Sequence, residues 1–407
     1  MLRLTLPDAL ERARTNGGLV LLANYAAQLA HEDTVQAKAA LLPALTWFNQ
    51  FIYTQPNGTP PGIFVSNDGP HVYNNQAQLH GDIFAPGKIA DYHRAEAAEV
   101  VARAKADVAA RGIYATVVQN YYAMVAASRK LVSAQEGQRE AEQFLDITQK
   151  LEQGGEIAHS DVVTAQILAE QRVRDTQDAV LAVEKAKFGL AILVFPEFRR
   201  DFTVEDDLET LTVLPDFPKV QSLASANNPD LRAAQAAVEQ QRHETSSARA
   251  AYYPSLSFDY FYGINANQYA VNNRQGLNNL GSVAQAQLSV PVWNWGATRS
   301  KVRQSEIRLL QARTELSLTQ RQLLANLNGY YQEADVASGQ IASLRRSLNL
   351  SQESLRLILL RYQAGEVMVL EVKDAQTTLI QARNAYDDGL VRYRAAVSEL
   401  QTITGAF

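Results

Sequence analysis

Cysteine is absent from the 407 residues, which removes disulfides, thiolate metal sites, cysteine nucleophiles and a cysteine-borne lipid anchor from these residues together. Histidine is scarce. His31, His71, His80, His93, His159 and His243 lie far apart, with no HExxH spacing and no glycine-rich phosphate loop, so neither a metal, a cofactor nor catalytic chemistry is expected. Three methionines offer little to a copper relay. An excess of positive charge is also missing: the net charge is -5, and a nucleic-acid binder needs a basic surface to displace counterions. No stretch approaches the roughly 18 consecutive apolar residues of a membrane-spanning helix. The opening MLRLTLPDALERA lacks the basic, apolar and small-residue segments of a secretory signal. The chain is therefore expected either to stay in the cytoplasm or to have lost a signal ahead of Met1.

Proline is missing from two long regions. The 13 prolines leave residues 88–194 and 297–404 free of helix breakers, and both regions are rich in Ala, Leu, Gln, Glu and Arg. The first is interrupted at Gly154-Gly155 and the second at Ala364-Gly365. An unbroken helix from 88 to 153 would be about 100 Å long, beyond any ordinary globular domain. In the second region Leu316, Leu323, Tyr330, Ala337, Leu344, Ser351 and Ile358 form one heptad row. Gln320, Leu327, Ala334, Ile341, Leu348, Leu355 and Tyr362 form the next. This predicts lengthwise helix packing.

The two halves also echo each other at an offset of about 210 residues. LLPALTWFNQF (41–51) matches YYPSLSFDYFY (252–262), Tyr121-Tyr122 matches Tyr330-Tyr331, and GEIAHSDVVTAQ (155–166) matches GEVMVLEVKDAQ (365–376). The expected organisation is a first repeat at 1–195, with a β-hairpin at 41–85 and long helices at 88–194. An acidic, irregular linker follows at 196–222. The second repeat spans 223–407, with a hairpin at 254–293 and long helices at 297–404.

The hairpins alternate with period two. Leu256, Phe258, Tyr260, Tyr262 and Ile264 share one face, and Ser255, Ser257, Asp259, Phe261 and Gly263 the other; Ala284, Ala286, Leu288, Val290 and Val292 are set against Val283, Gln285, Gln287 and Ser289. The first half gives Leu45, Trp47, Phe51 and Tyr53, then Tyr73, Ala77, Leu79 and Ile83. Strands of about ten residues suit a transmembrane barrel, whose strands run roughly 9 to 11. Four strands cannot close one, and open edges in lipid leave backbone groups unpaired, so several chains would have to share the barrel. The residues also leave open a soluble coiled-coil scaffold with a small antiparallel sheet.

Six segments in order carry a resemblance: LTLPDALERA (4–13), LLPAL (41–45), NNPDLRAAQAAV (227–238), YYPSLSF (252–258), VPVWNWGATRSKVRQSE (290–306) and RYQAGEVMVLEVKDAQTTLIQARN (361–384). Through them the chain resembles the TolC family of outer-membrane efflux channels over nearly its whole length. The resemblance implies a mixed α and β membrane protein: a homotrimer with a twelve-stranded outer-membrane β-barrel, four strands per chain, continued by a long α-helical barrel into the periplasm. The implied role is the exit duct of a tripartite efflux or type I secretion system. Its partners would be a periplasmic adaptor (membrane fusion protein), an inner-membrane pump and outer-membrane lipid, and the linker would girdle the helical barrel.

By the same resemblance, Gly154, Gly155, Gly365 and Glu366 belong to the periplasmic tip, where the adaptor docks. Glu371 and Asp374, three apart on one helix face, line its narrowest point. Rings of carboxylates there would favour cations. Acids in a helix's first turn are also favoured by its dipole, whatever their role. Asp161 and Tyr362 match residues of the family's gate links. The basic residue two places past the second turn's glycine is replaced by Val367, implying a weaker latch. Trp47, Phe51, Phe258, Tyr260, Tyr262 and Leu288 would face the membrane.

Overall fold

A computed structural model describes residues 2–55, 70–197, 201–210, 213–272 and 275–405. The loop marked by Pro56, Pro60 and Pro61 lies outside the described residues, as do parts of the linker at 198–200 and 211–212. In chain order the elements are β1 (Leu2–Leu4), α1 (Leu6–Asn16), α2 (Gly18–Ala39), β2 (Ala44–Tyr53), β3 (His71–Phe84), α3 (Pro86–Gln153) and α4 (His159–Val194). There follow β4 (Phe202–Val204), α5 (Phe217–Asn227), α6 (Pro229–Ala250), β5 (Ser255–Ala266), β6 (Leu280–Ser289), α7 (Ala297–Gln363) and α8 (Val369–Thr404). Prolines open helices here rather than break them. Pro7, Pro86, Pro218 and Pro229 stand in the first two positions of α1, α3, α5 and α6, where the missing N–H costs no intrahelical bond. The long helices run where proline is missing, 68 residues in α3 and 67 in α7. Among the described residues, no helix is both long and apolar enough to cross a membrane.

The chain divides into two compact units. The first comprises Met1–Tyr25, Ala104–Ala233 and Leu318–Phe407. Its core holds Val117, Tyr121, Leu190, Leu327, Ala334, Ala337, Leu390 and Tyr393, all nearly inaccessible. The α7 heptad rows supply much of it: every member is buried or half-buried except Gln320. The small Ala334 and Ala337 let neighbouring helices approach. Charge pairs tie α3 to α8 along their length. Arg129 meets Asp387 at 3.0 Å, Lys130 meets Asp388 at 2.7 Å, and Arg383 lies 3.2 Å from Glu136 and 3.4 Å from Glu140.

The linker is more ordered than its composition suggests. Its strand β4 pairs in parallel with β1, Leu2 opposite Phe202 and Leu4 opposite Val204. Tyr121 explains the Tyr-Tyr signature: its buried hydroxyl lies 2.8 Å from the Glu205 carbonyl and 3.2 Å from that of Leu4. The linker's acids find cations on the helices. Asp206 takes Arg129 at 2.8 Å, and Arg394, its guanidinium 5.5 Å from the centre of the Tyr122 ring, donates to the carbonyls of Asp207 and Thr210.

The second unit, Ala26–Arg103 and Ala234–Ser317, carries an antiparallel sheet of order β2-β3-β5-β6. The register pairs Trp47 with Ala77, Phe51 with Tyr73, Leu79 with Tyr260, Ala77 with Tyr262, Phe258 with Ala286 and Leu256 with Leu288. One face is thus mainly apolar and aromatic, although Asn49, Asn75, His71 and Ser282 share it and Phe48, Ile52, Phe261 and Val283 fall on the other. The other carries Gln50, Asn74, Gln76, Gln78, His80, Asp259, Gln285 and Gln287, because paired residues point the same way and successive residues point opposite ways. The expected alternation differs at two places. Ile83 falls at a bulge between the pairs Asp82–Ser257 and Phe84–Leu256, where an extra residue leaves the ladder. Val290 and Val292 lie beyond β6, which ends at Ser289 before Pro291, a residue with no N–H to donate. Gly81 has a packing reason: a Cβ there would come 2.4 Å from the Phe258 ring, which lies across it.

Candidate functional site: the helix turns and the two-faced sheet

The two turns joining long helices are built alike. After α3, Gly155 N–H reaches Glu152 O at 2.8 Å and Glu156 N–H reaches Leu151 O at 2.9 Å. After α7, Gly365 N–H reaches Tyr362 O at 3.0 Å and Glu366 N–H reaches Arg361 O at 2.9 Å. These are paired Schellman closures, and each needs a left-handed residue. Gly155 at φ 75° and Gly365 at φ 74° provide it. Gly154, Gly155, Gly365 and Glu366 are all exposed; Glu366 bonds Arg361 at 3.3 Å and His159 meets Glu152 at 2.6 Å.

Behind the turns lies an apolar cluster of Ala141, Phe144, Ala165, Leu168, Tyr362, Val369 and Val372. It brings the ends of α3, α4, α7 and α8 together. Tyr362 is central: its ring meets Phe144 edge-on at 5.0 Å, and its hydroxyl lies 3.5 Å from Thr148 Oγ1. Burial pushes the Tyr362 phenol pKa up, the Thr148 contact lowers it, and the nearby Asp161 carboxylate raises it further. Within one chain, then, the Tyr362 hydroxyl bonds Thr148, and Asp161 acts on it through space. Thr148 was not singled out from sequence. The signal was there: Ala141, Phe144, Thr148 and Leu151 follow the 3-4-3 spacing of a core stripe, and a hydroxyl in such a stripe wants a partner. Arg172, also missed, is buried and bonds Asp175 at 2.9 Å and Thr377 of α8 at 3.3 Å.

Glu371 and Asp374 are both exposed on the first turns of α8, while Val372 and Ala375 beside them are buried. The apolar pair anchors the helix and leaves the carboxylates outward. Glu371 accepts from the Met368 N–H at 3.5 Å, and Lys373 is half-buried. At the sheet, Trp47, Phe51, Phe258, Tyr260, Tyr262 and Leu288 fall on the apolar face, with Trp47 68% and Leu288 64% exposed. Exposure of that size in large apolar side chains marks a surface meant for something other than water. On the polar face Asp259 accepts from Gln78 at 3.0 Å and meets His80 at 2.7 Å.

Very long paired helices, matched glycine turns and a four-stranded sheet with unlike faces make up a fold shared with solved outer-membrane channel proteins. The structure of VceC from Vibrio cholerae superposes with a TM-score of 0.85 at 16% identity, covering 98% of this chain and 96% of that one. The family described as Outer membrane efflux protein matches residues 220–406. Proteases secretion protein PrtF of Dickeya chrysanthemi is 21% identical across 95% of this chain and 84% of its own length. Outer membrane protein TolC of Vibrio cholerae is 23% identical over 60% of this chain and 54% of its own. Over these spans the chain is similar to outer-membrane efflux and secretion proteins of the TolC type.

Proposed function

We propose that the protein is the outer-membrane exit duct of a tripartite efflux or type I secretion system, a conduit and not an enzyme, reaching from the outer membrane into the periplasm. The observation that carries this is the sheet. Its apolar face bears large exposed side chains, its opposite face is polar, and its outer strands β2 and β6 each have one strand neighbour among the described residues. In hydrocarbon, unpaired edges cost several kcal/mol per group. Further copies of the chain remove that cost, three chains giving twelve strands. The matched element lengths of the two halves support an internal duplication, each repeat contributing one hairpin and one long coil.

In this reading Trp47, Phe51, Phe258, Tyr260, Tyr262 and Leu288 meet lipid, and the polar face lines the water-filled lumen. The turns with Gly154, Gly155, Gly365 and Glu366 form the periplasmic tip and contact the adaptor, which links the duct to the inner-membrane pump. Glu371 and Asp374 from three chains form the constriction, and Asp161 and Tyr362 form the gate link beside it. Cargo choice rests with the pump. Single-channel recording in planar bilayers tests the reading. Wild-type protein is expected to give small, cation-preferring currents, and Glu371→Ala with Asp374→Ala larger and less selective ones. A detergent-free monomer that never conducts would overturn it.

A further inference from the structure

The apolar face of the sheet is interrupted by a pair of amides among its aromatic side chains. Asn49 and Asn75 are directly paired across β2 and β3, between Trp47 and Phe51 on one strand and Tyr73 and Ala77 on the other. Asn75 donates both amide hydrogens, to Asn49 Oδ1 at 2.7 Å and to the Tyr269 hydroxyl at 2.9 Å. Around them stands an aromatic wall: Phe51 lies 4.9 Å from Tyr73, and Tyr73 lies 6.1 Å from Tyr269. Asn49, Phe51, Tyr73 and Tyr269, with Gln50 and Asn74 from the other face, border a shallow cavity of about 280 Å³. An amide pair in hydrocarbon would be a liability. Its height resolves the difficulty. Asn75 pairs with Ile264, eleven residues beyond the exposed Tyr253 that precedes β5. At roughly 3.3 Å per residue and a tilt of 35–45°, the rise is about 26–30 Å, against an apolar band about 25 Å tall. The amides therefore stand at the upper rim of the band, at the hairpin end, away from the strand ends that lead into helices.

We propose that Asn49, Asn75 and Tyr269, with the Phe51 and Tyr73 rings, form a binding site for the sugar headgroup of a glycolipid in the outer leaflet. This rests on the membrane reading above. The chemistry selects sugar over phosphate. The four strands contain no lysine or arginine, so no fixed cation among them pairs with a phosphate. Amides and a phenol exchange hydrogen bonds with hydroxyls in either direction, and aromatic faces cover the apolar side of a sugar ring. Among the described residues, the Asn49 amide nitrogen and the Asn75 amide oxygen have no partner, which leaves one donor and one acceptor for the ligand.

Native mass spectrometry of the full-length oligomer, with deep-rough lipopolysaccharide or phosphatidylglycerol added at equal concentration, tests the site. Wild type is expected to hold the glycolipid in preference to phosphatidylglycerol. Asn75→Leu is expected to weaken glycolipid binding about tenfold and Tyr269→Phe about threefold, as for one or two lost hydrogen bonds. Phosphatidylglycerol binding should not change. Tyr269 lies outside the strands, so its variant keeps the test valid should Asn75→Leu not assemble. Equal retention of the two lipids by wild type, or unchanged glycolipid binding in the variants, overturns the site. Channel currents measured on the same samples separate the two ideas: currents with indifferent lipid binding sink only this inference, whereas no insertion at all sinks both.

Discussion

At the scale of single residues, several sequence signals have a plain physical cause. The LPD of LTLPDAL and the NPD of NNPDL are the same device. Thr5 accepts from the Asp8 N–H at 3.3 Å, and Asn228 accepts from the Leu231 N–H at 2.8 Å, so each caps a helix opened by proline with an acid in its first turn. Asn228 also donates to Ile403 O at 3.3 Å, tying α6 to the end of α8. Gly365→Ala forces a side chain into the left-handed region and should cost about 1–2 kcal/mol, read as a lower melting temperature. Asp387 gives a pH test. Burial raises its carboxyl pKa, with Arg129 opposing. A raised pKa means the folded state holds the proton more tightly. The resulting stabilisation is fully present below the unfolded value near ~3.9 and is lost as pH rises through the folded one. Asp387→Asn should remove that downward slope from melting temperatures measured across the acidic range. The Tyr362–Thr148 contact, by contrast, could not be read from sequence, since 214 residues separate the partners and no local pattern joins them.

Elements were the most legible level. Missing proline marked the long helices, glycines marked their ends, and heptad spacing marked the buried face of α7. What sequence did not reveal was the linker, because its order comes from distant partners: a three-residue strand borrowed from the N-terminus and a tyrosine on α3. Tyr121→Phe removes a donor from the Glu205 and Leu4 carbonyls, the second of which keeps the Glu205 N–H at 3.0 Å, and should cost about 1 kcal/mol. Hydrogen exchange should then rise first at residues 2–4 and 202–205. The sheet was legible in its alternation and misjudged at Ile83 and past Ser289, since a bulge and a strand end depend on pairing that one strand does not encode.

For the whole molecule, the proposed shared barrel makes the apolar sheet face the place where assembly and insertion are decided. Phe258→Lys puts a charge among side chains proposed to meet lipid, five residues beyond Tyr253 and so near the middle of the band. The penalty should be about 2–4 kcal/mol, seen as a loss of heat-resistant oligomer on cold electrophoresis and of channel activity. Gln287→Lys, at a similar height on the opposite face, should assemble normally and shift ion preference toward anions. Equal damage from both would contradict the assignment of faces.

The α3–α8 charge pairs reach further than their modest individual strength. Alanine-rich apolar rows repeat every seven residues, so during folding a helix could slide one repeat along its neighbour and still bury a greasy surface. Here such an error is legible to the chain at once. Displaced one way, Arg129 would confront Arg394; displaced the other, it would face Ile380, and Glu136 would lose Arg383 for Gln376. The ion pairs thus work as a vernier, making the misaligned pair a short-lived trap and letting the 68-residue α3 and the 36-residue α8 find a single alignment.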